Sequence, residues 1–306
     1  MKQKLTLTFL IIITFIKVMN AQTDAMISNF MFSRLSYNPA YAGITKTIDV
    51  SLLARQQWIG LAKAPSTQIL NFNNSTEKFG NYGISLINDR LGYERSVNLR
   101  LIYAYPIKLT QTSTLSAGFG LGFLNKTLDG TKLKYENRLI TDPNGEYSMN
   151  SEFKPALDFG FVYDNPKLNI GLSSTHLPNS DKNATFYTVP RHYYLFGSYK
   201  IKLNDNLTLQ PSLFVKSCKV ITQYEVNANL LISEKFWIGL SYRDNVSMNV
   251  LAGLNLNKNI KLAYAYDFDT GAISAYSMGS HEIMLIMSFN KNEKADFYLK
   301  TPRLFN

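Results

Sequence analysis

From Thr47 onward, apolar and polar residues alternate almost one by one. Val97, Leu99, Leu101, Tyr103, Tyr105 and Ile107 share one face, and Asn98, Arg100 and Lys108 share the other. The next run sets Leu115, Ala117, Phe119, Leu121 and Phe123 against Thr114, Ser116, Gly118, Gly120 and Gly122. Later, Tyr224, Val226, Ala228 and Leu230 oppose Glu225, Asn227 and Asn229. A period of two predicts strands with two unlike faces. About fourteen such runs follow one another. They begin near Thr47, Pro65, Phe79, Ser96, Thr112, Lys154, Lys167, Pro190, Asn206, Thr222, Phe236, Ser247, Ile260 and His281. In the last run, Ile283, Leu285, Met287 and Phe289 form an apolar row ending in an aromatic, while Glu282, Met284, Ile286 and Ser288 form a mixed one.

Alternation alone fits a soluble sandwich as well as a membrane barrel, because both have one apolar and one polar face. Charges within the runs sharpen the choice. Asp49, Arg55, Arg100, Lys108, Asp158, Lys200, Lys216, Glu225, Arg243, Lys261 and Asp267 all fall on the parity opposite the apolar row. A charge on a lipid face would cost about 2–4 kcal/mol at the midplane, and a wet or self-paired lumen removes most of that cost. Connection lengths decide further. With the first strand running outward, the even-numbered connections are short: Asn73–Lys78, Leu109–Gln111, Asp164–Pro166, Leu203–Asp205, Ser233–Lys235 and Asn257–Asn259. The odd-numbered ones hold every long loop: Gln57–Ala64, Leu124–Phe153, His176–Val189 and Phe268–Ser280. The expected fold is an all-β, transmembrane, antiparallel up-and-down barrel with short periplasmic turns and longer extracellular loops. Backbone satisfaction in lipid requires that the first and last strands pair.

Composition agrees. Aromatics make up 13% of the 306 residues, charged residues only 18%, and mean hydropathy is −0.12, as alternating faces demand. The N-terminus differs from the rest. Lys2 and Lys4 precede the apolar run Leu5–Ile16, and Asn20-Ala21-Gln22 offers a small residue for cleavage, so residues 1–21 read as a secretory signal peptide. Removing them takes away Lys2, Lys4 and Lys17 and lowers the formal charge from +10 to +7. The remaining basic residues are scattered, which argues against a nucleic-acid partner. Residues 22–46 are expected to form a periplasmic N-terminal segment with a fixed turn at Pro39 and Gly43. Residues 47–289 form the barrel, and residues 290–306 form a periplasmic tail that returns to aromatics after Lys291, Glu293, Lys294 and Asp296.

Several stretches together resemble the PorP/SprF proteins of the Bacteroidota type IX secretion and gliding machinery. They are Tyr37-Asn38-Pro39-Ala40-Tyr41-Ala42-Gly43, Arg55-Gln56-Gln57-Trp58-Ile59-Gly60 with Ala64-Pro65-Ser66-Thr67-Gln68, and Gly83–Gly92. Gly279-Ser280-His281-Glu282-Ile283-Met284-Leu285 and Thr301-Pro302-Arg303-Leu304-Phe305 complete the set, in order along the chain. Asp129–Asn150 and His176–Val189 match less closely. The resemblance implies an outer-membrane barrel without enzymatic activity. It implies association with the secretion motor and peptidoglycan-linked periplasmic components, or with a secreted adhesin-type cargo. The matched motifs nominate Asn38, Pro39, Tyr41, Gly43, Arg55, Trp58, Thr301, Pro302, Arg303, Leu304 and Phe305 as partner-contacting residues.

Chemistry is hard to find. Gly118-Phe119-Gly120-Leu121-Gly122 has a period of two and no following helix, so small lumen-facing residues, or close strand approach, explain it better than a phosphate loop. Asp269-Thr270-Gly271 occurs once, which leaves no paired carboxylate for protease chemistry. Asp267-Phe268-Asp269-Thr270-Gly271 lacks the later bidentate Glu of a calcium loop and reads as a turn. His176, His192 and His281 show no zinc spacing, and the lone Cys218 excludes an internal disulfide. No cofactor is expected. A general porin for small solutes is the alternative reading, and a barrel enzyme with a triad built across strands is a third.

Overall fold

The computed structural model describes residues 24–76, 79–133, 148–178, 187, 189–218 and 221–290. The strands are β1 (Ile48–Gln56), β2 (Ser66–Asn74), β3 (Asn81–Leu91), β4 (Glu94–Lys108), β5 (Thr114–Asp129), β6 (Met149–Asp164), β7 (Leu168–Thr175) and β8 (His192–Tyr199). The second half adds β9 (Ile201–Lys202), β10 (Leu207–Cys218), β11 (Thr222–Ile232), β12 (Phe236–Arg243), β13 (Ser247–Asn255), β14 (Ile260–Asp269) and β15 (Ser280–Phe289). The pair β9 only continues β8 in the same register along β10, beside Pro211, which has no N–H to donate. The segments therefore make fourteen staves, each antiparallel to the next.

β1 pairs with both β2 and β15, and β10 pairs with β11, so the sheet closes without an edge. The closing register runs from Ile48 opposite Phe289 to Gln56 opposite His281. Closure is what lipid requires, since an open edge would leave N–H and C=O groups without partners. Connections at one end are the short 75–80, 109–113, 165–167, 203–206, 233–235 and 256–259; the opposite end carries 57–65, 130–148, 176–191 and 270–279.

The alternating rows sort by face as the period of two requires. Leu101, Leu121, Ile238, Leu240 and Ile283 point outward and are exposed, while Arg100, Asp158, Glu225 and Asp267 point inward and are buried. Two expectations need correcting. Lys108, Lys200 and Lys261 lie at strand ends on the short-turn side and are exposed there, so they reach water without using the lumen. The loop expected over Leu124–Phe153 is shorter at both ends: β5 and β6 continue their ladder out to Asp129 and Met149. Phe123 and Phe153 pack at 4.8 Å on its outer side, and Lys126 bonds Glu94 at 2.7 Å on its inner side.

Leu101 and Leu121 face each other across β4 and β5, on the outer wall. Leu101→Arg is expected to destabilise the barrel by about 2–4 kcal/mol, read by guanidinium unfolding in lipid vesicles. An arginine accepted there without loss would mean that this face does not meet lipid.

Candidate functional site: a lumen filled by the N-terminal segment

Residues 24–45 lie inside the barrel. The segment expected on the periplasmic side begins near the long-loop end, where Asp24 meets His176 and His192. It descends to the short-turn end, where the Gly43 N–H donates to Asn73 at 3.1 Å and Asn81 donates to the Ala42 carbonyl at 2.9 Å. Its aromatic residues had argued for fixed structure. They find it against the inner wall.

The segment has two short 3-10 turns, Arg34–Ser36 and Pro39–Tyr41. Asn38 caps the second: its Oδ1 accepts the Ala40 N–H at 2.9 Å, and Pro39 occupies the first position, where no N–H is needed. The same Asn38 amide donates to the carbonyls of Phe161 and Leu172, at 3.2 and 3.1 Å. One side chain thus shapes the turn and ties it to β6 and β7. The Tyr41 hydroxyl donates to Asn169, and Arg34 lies 4.7 Å over the Tyr41 ring. Glycines on the inner face make room. A Cβ at Gly118 would run into the Ala40 backbone, and one at Gly160 into Asn38. Within the Gly118–Gly122 run it is Gly118 that admits the plug's backbone, while Gly122 lets the β4 main chain at Leu99 come close.

Aromatic packing holds the middle. Phe30 stacks on Phe214 at 5.0 Å, Phe32 packs on Trp237 at 5.0 Å, and Tyr37 meets Tyr194 at 5.6 Å. Polar groups hold both sides of it. Ser173 donates to the Tyr37 carbonyl at 2.6 Å, and Asn71 to Ser36 Oγ at 2.9 Å. Arg100 bonds Asp158 at 2.8 Å and also donates to the Ser36 carbonyl.

Nearer the long-loop end, wall charges converge on Ser28 and Asn29. Arg55 Nη2 lies 2.7 Å from Asp267 and Nη1 3.3 Å from Glu282. Arg243 bonds Glu225 at 2.8 Å and Asp267 at 3.4 Å. Glu282 accepts the main-chain N–H groups of Ser28 and Asn29 at 2.8 and 2.7 Å. Ser28 Oγ donates to Asp267 and accepts from Arg55 at 2.9 Å. Burying these ions is tolerable because every one is paired and further hydrogen-bonded. Above the plug, burial disfavours the His176 cation, but the adjacent Asp24 carboxylate outweighs that and holds the imidazole above its usual pKa.

Asn38, Pro39, Tyr41 and Gly43 of the segment and Arg55 of β1, all nominated as partner contacts, are buried in the lumen; Asn38, Tyr41 and Gly43 bond the wall, and Arg55 bonds Ser28 of the segment. Trp58 stands apart in the 57–65 connection, half-buried, at φ 49°, with its N–H donating to Ser280 Oγ at 3.2 Å. Thr301, Pro302, Arg303, Leu304 and Phe305 lie outside the described residues, as do residues 1–21. Sequence reasoning did not single out Ser28, Asn29 or Glu282. Glu282 stood only in the mixed row of the last strand and in a family-like stretch, and nothing local to Ser28 or Asn29 announces a partner far along the chain.

Arg100→Ala would leave Asp158 buried and unpaired, at an expected cost of about 3–5 kcal/mol in chemical unfolding. The double variant Arg100→Ala/Asp158→Ala should lose less than the single one. A double loss equal to the sum of the Arg100→Ala and Asp158→Ala losses would show that the pair is not coupled.

A search of curated proteins finds no match. Among solved structures, the Ralstonia pickettii toluene transporter TbuX is similar at TM-score 0.52 and 12% identity, over 82% of this chain and 92% of that one. Acinetobacter baumannii Omp33 aligns at TM-score 0.48 and 8% identity, over 79% of this chain and 98% of that one. At 12% identity, the likeness to TbuX is one of fold. The family described as "Type IX secretion system membrane protein PorP/SprF" matches residues 19–287. The chain belongs to that family.

Proposed function

We propose that this outer-membrane protein is a plugged, non-enzymatic barrel of the type IX secretion system, and that it supports export or surface attachment of a secreted, adhesin-type protein. Its long-loop end meets the cargo. Its short-turn end, with the tail after Phe289, meets the secretion motor and peptidoglycan-linked components of the periplasm. The general secretory pathway delivers it.

The observation that carries this reading is the filled lumen. A general porin needs a continuous water path, whereas here Phe30, Tyr37, Ala40 and Tyr41 are buried in mid-barrel against the wall. Binding work then falls to the two ends. Family membership supplies the system to which those ends belong.

In planar bilayers the purified protein is expected to give no large, steady conductance. Gly118→Val, which drives the plug backbone from the wall, should conduct while still migrating as a heat-modifiable barrel. A wild-type protein that conducts steadily would sink this reading in favour of the porin. Deleting residues 300–306 should reduce surface display of secreted proteins, and co-purification of periplasmic components, without preventing insertion. Unchanged display and co-purification would end the role given to the tail.

A further inference from the structure

The start of the plug carries a donor set that the secretion reading does not use. His176 follows β7 and His192 opens β8, so two neighbouring staves each bring an imidazole to Asp24. His176 Nε2 lies 3.1 Å from Asp24 Oδ1, and the two imidazole rings are 5.9 Å apart. Among the described residues, one ligand atom from each of these three side chains lies within 4.8 Å of the other two. Both histidines are buried, at 4% and 1% exposure. We propose that Asp24, His176 and His192 bind a divalent transition-metal ion, with zinc as the matching chemistry.

Four observations carry this. Two imidazoles and one carboxylate suit a borderline ion such as zinc, whereas calcium and magnesium prefer oxygen donors. A tetrahedral ion with bonds of about 2.0–2.1 Å holds its ligand atoms about 3.3 Å apart, and the Asp24–His176 pair already has that spacing. The surroundings also orient the ligands. His192 Nδ1 donates to the Pro190 carbonyl at 2.9 Å, which leaves Nε2 as the basic nitrogen. Nε2 now accepts the Asp24 N–H at 3.2 Å, a bond that the ion would replace. Tyr194 of β8 donates to the Asp24 carboxylate and Lys216 of β10 to the Asp24 carbonyl, so that residue is also held from one further stave. Finally, His176 sits at φ 59°, a costly left-handed backbone for a non-glycine residue. Its N–H is fixed there by Asp158 at 3.1 Å, which aims its ring at Asp24.

Charge permits a dication. Lys216 and Arg100 are the nearby cations, and Asp24, Asp158 and Asp89 offset them. Asp24 and His192 also border a cavity of about 330 Å3, from which water can complete the coordination. An ion bound here ties the first described residue of the plug to β7 and β8. The site is thus independent of which cargo the barrel serves.

The test uses the full-length protein in detergent, without a histidine tag, stripped with chelator and titrated with zinc chloride by calorimetry. One zinc per chain is expected, with an accompanying rise in the thermal unfolding midpoint. His176→Gln and His192→Gln should each weaken binding by about tenfold or more. His281→Gln, on the outer wall, should leave it unchanged. Heat-modifiable migration establishes that each variant is folded, and Asp24→Asn provides a gentler change should a histidine variant fail to insert. No stoichiometric binding by the wild type, or equal binding by the folded His176→Gln/His192→Gln double variant, overturns the proposal and leaves the three residues as a hydrogen-bonded latch.

Discussion

Arg55 and Glu282 face each other across the seam where the barrel closes. Three requirements meet on that pair. The seam joins the first and last strands, so that no backbone group is left to lipid. It turns two charges inward, where Asp267 and Arg243 extend the pairing. It also presents Glu282 to the Ser28 and Asn29 amides. Remove the plug and Glu282 loses those main-chain donors in a buried site, where an underpaired carboxylate is costly. Remove the closure and the pair itself comes apart. Closure, neutralisation of the wall and seating of the plug are therefore one arrangement.

The mixed inner row of the last strand shows the same coupling at the level of side chains. Glu282 serves the plug's main chain, and Met284, fully buried, packs in the cluster that contains Phe30 and Trp237. A lumen that held only water would call for polar residues throughout. A lumen that holds protein calls for a wall with both characters, and Leu53, Ile69, Leu251 and Ala265 supply the apolar part. The wall is composed for a protein occupant.

Much of this was legible in the chain. Strand positions, the closing pair and the inward parity of Arg100, Asp158, Glu225 and Asp267 follow from a period of two, which is local and repeated many times. The destination of residues 24–45 was not legible. Pro39 and Gly43 signal a fixed turn, and Tyr37 and Tyr41 signal burial, but neither says whether the receiving surface is inside the barrel, below it or on another protein. The complementary signal was divided among distant strands: Gly118 on β5, Gly160 on β6 and Asn71 on β2 each look ordinary alone. Lys108, Lys200 and Lys261 obey the parity without entering the lumen, because strand ends already reach water. The long loop expected over Leu124–Phe153 was overdrawn because the two-sided ladder persists to Asp129 and Met149, with Lys126 inside and Phe153 outside.

The motif in the plug bears on how the family relation should be understood. Tyr37–Gly43 is among the stretches that resemble the family most, and a motif of that kind invites the assumption of a partner-binding surface. Here every nominated residue within it is buried, and Asn38 spends its donors and acceptor on Ala40, Phe161 and Leu172. Its hydrogen bonds go to its own turn and to the inside of its own barrel. The physical reason is economy of polar groups: the plug's main chain is satisfied partly by its own short turns, as where Tyr37 donates to the Arg34 carbonyl and Ala42 to that of Pro39, and partly by wall side chains such as Ser173, Arg100 and Glu282, one group at a time. A family-like motif can thus be spent on seating a segment inside its own barrel, and in these buried positions it offers no surface by which one such barrel could choose a different partner from another.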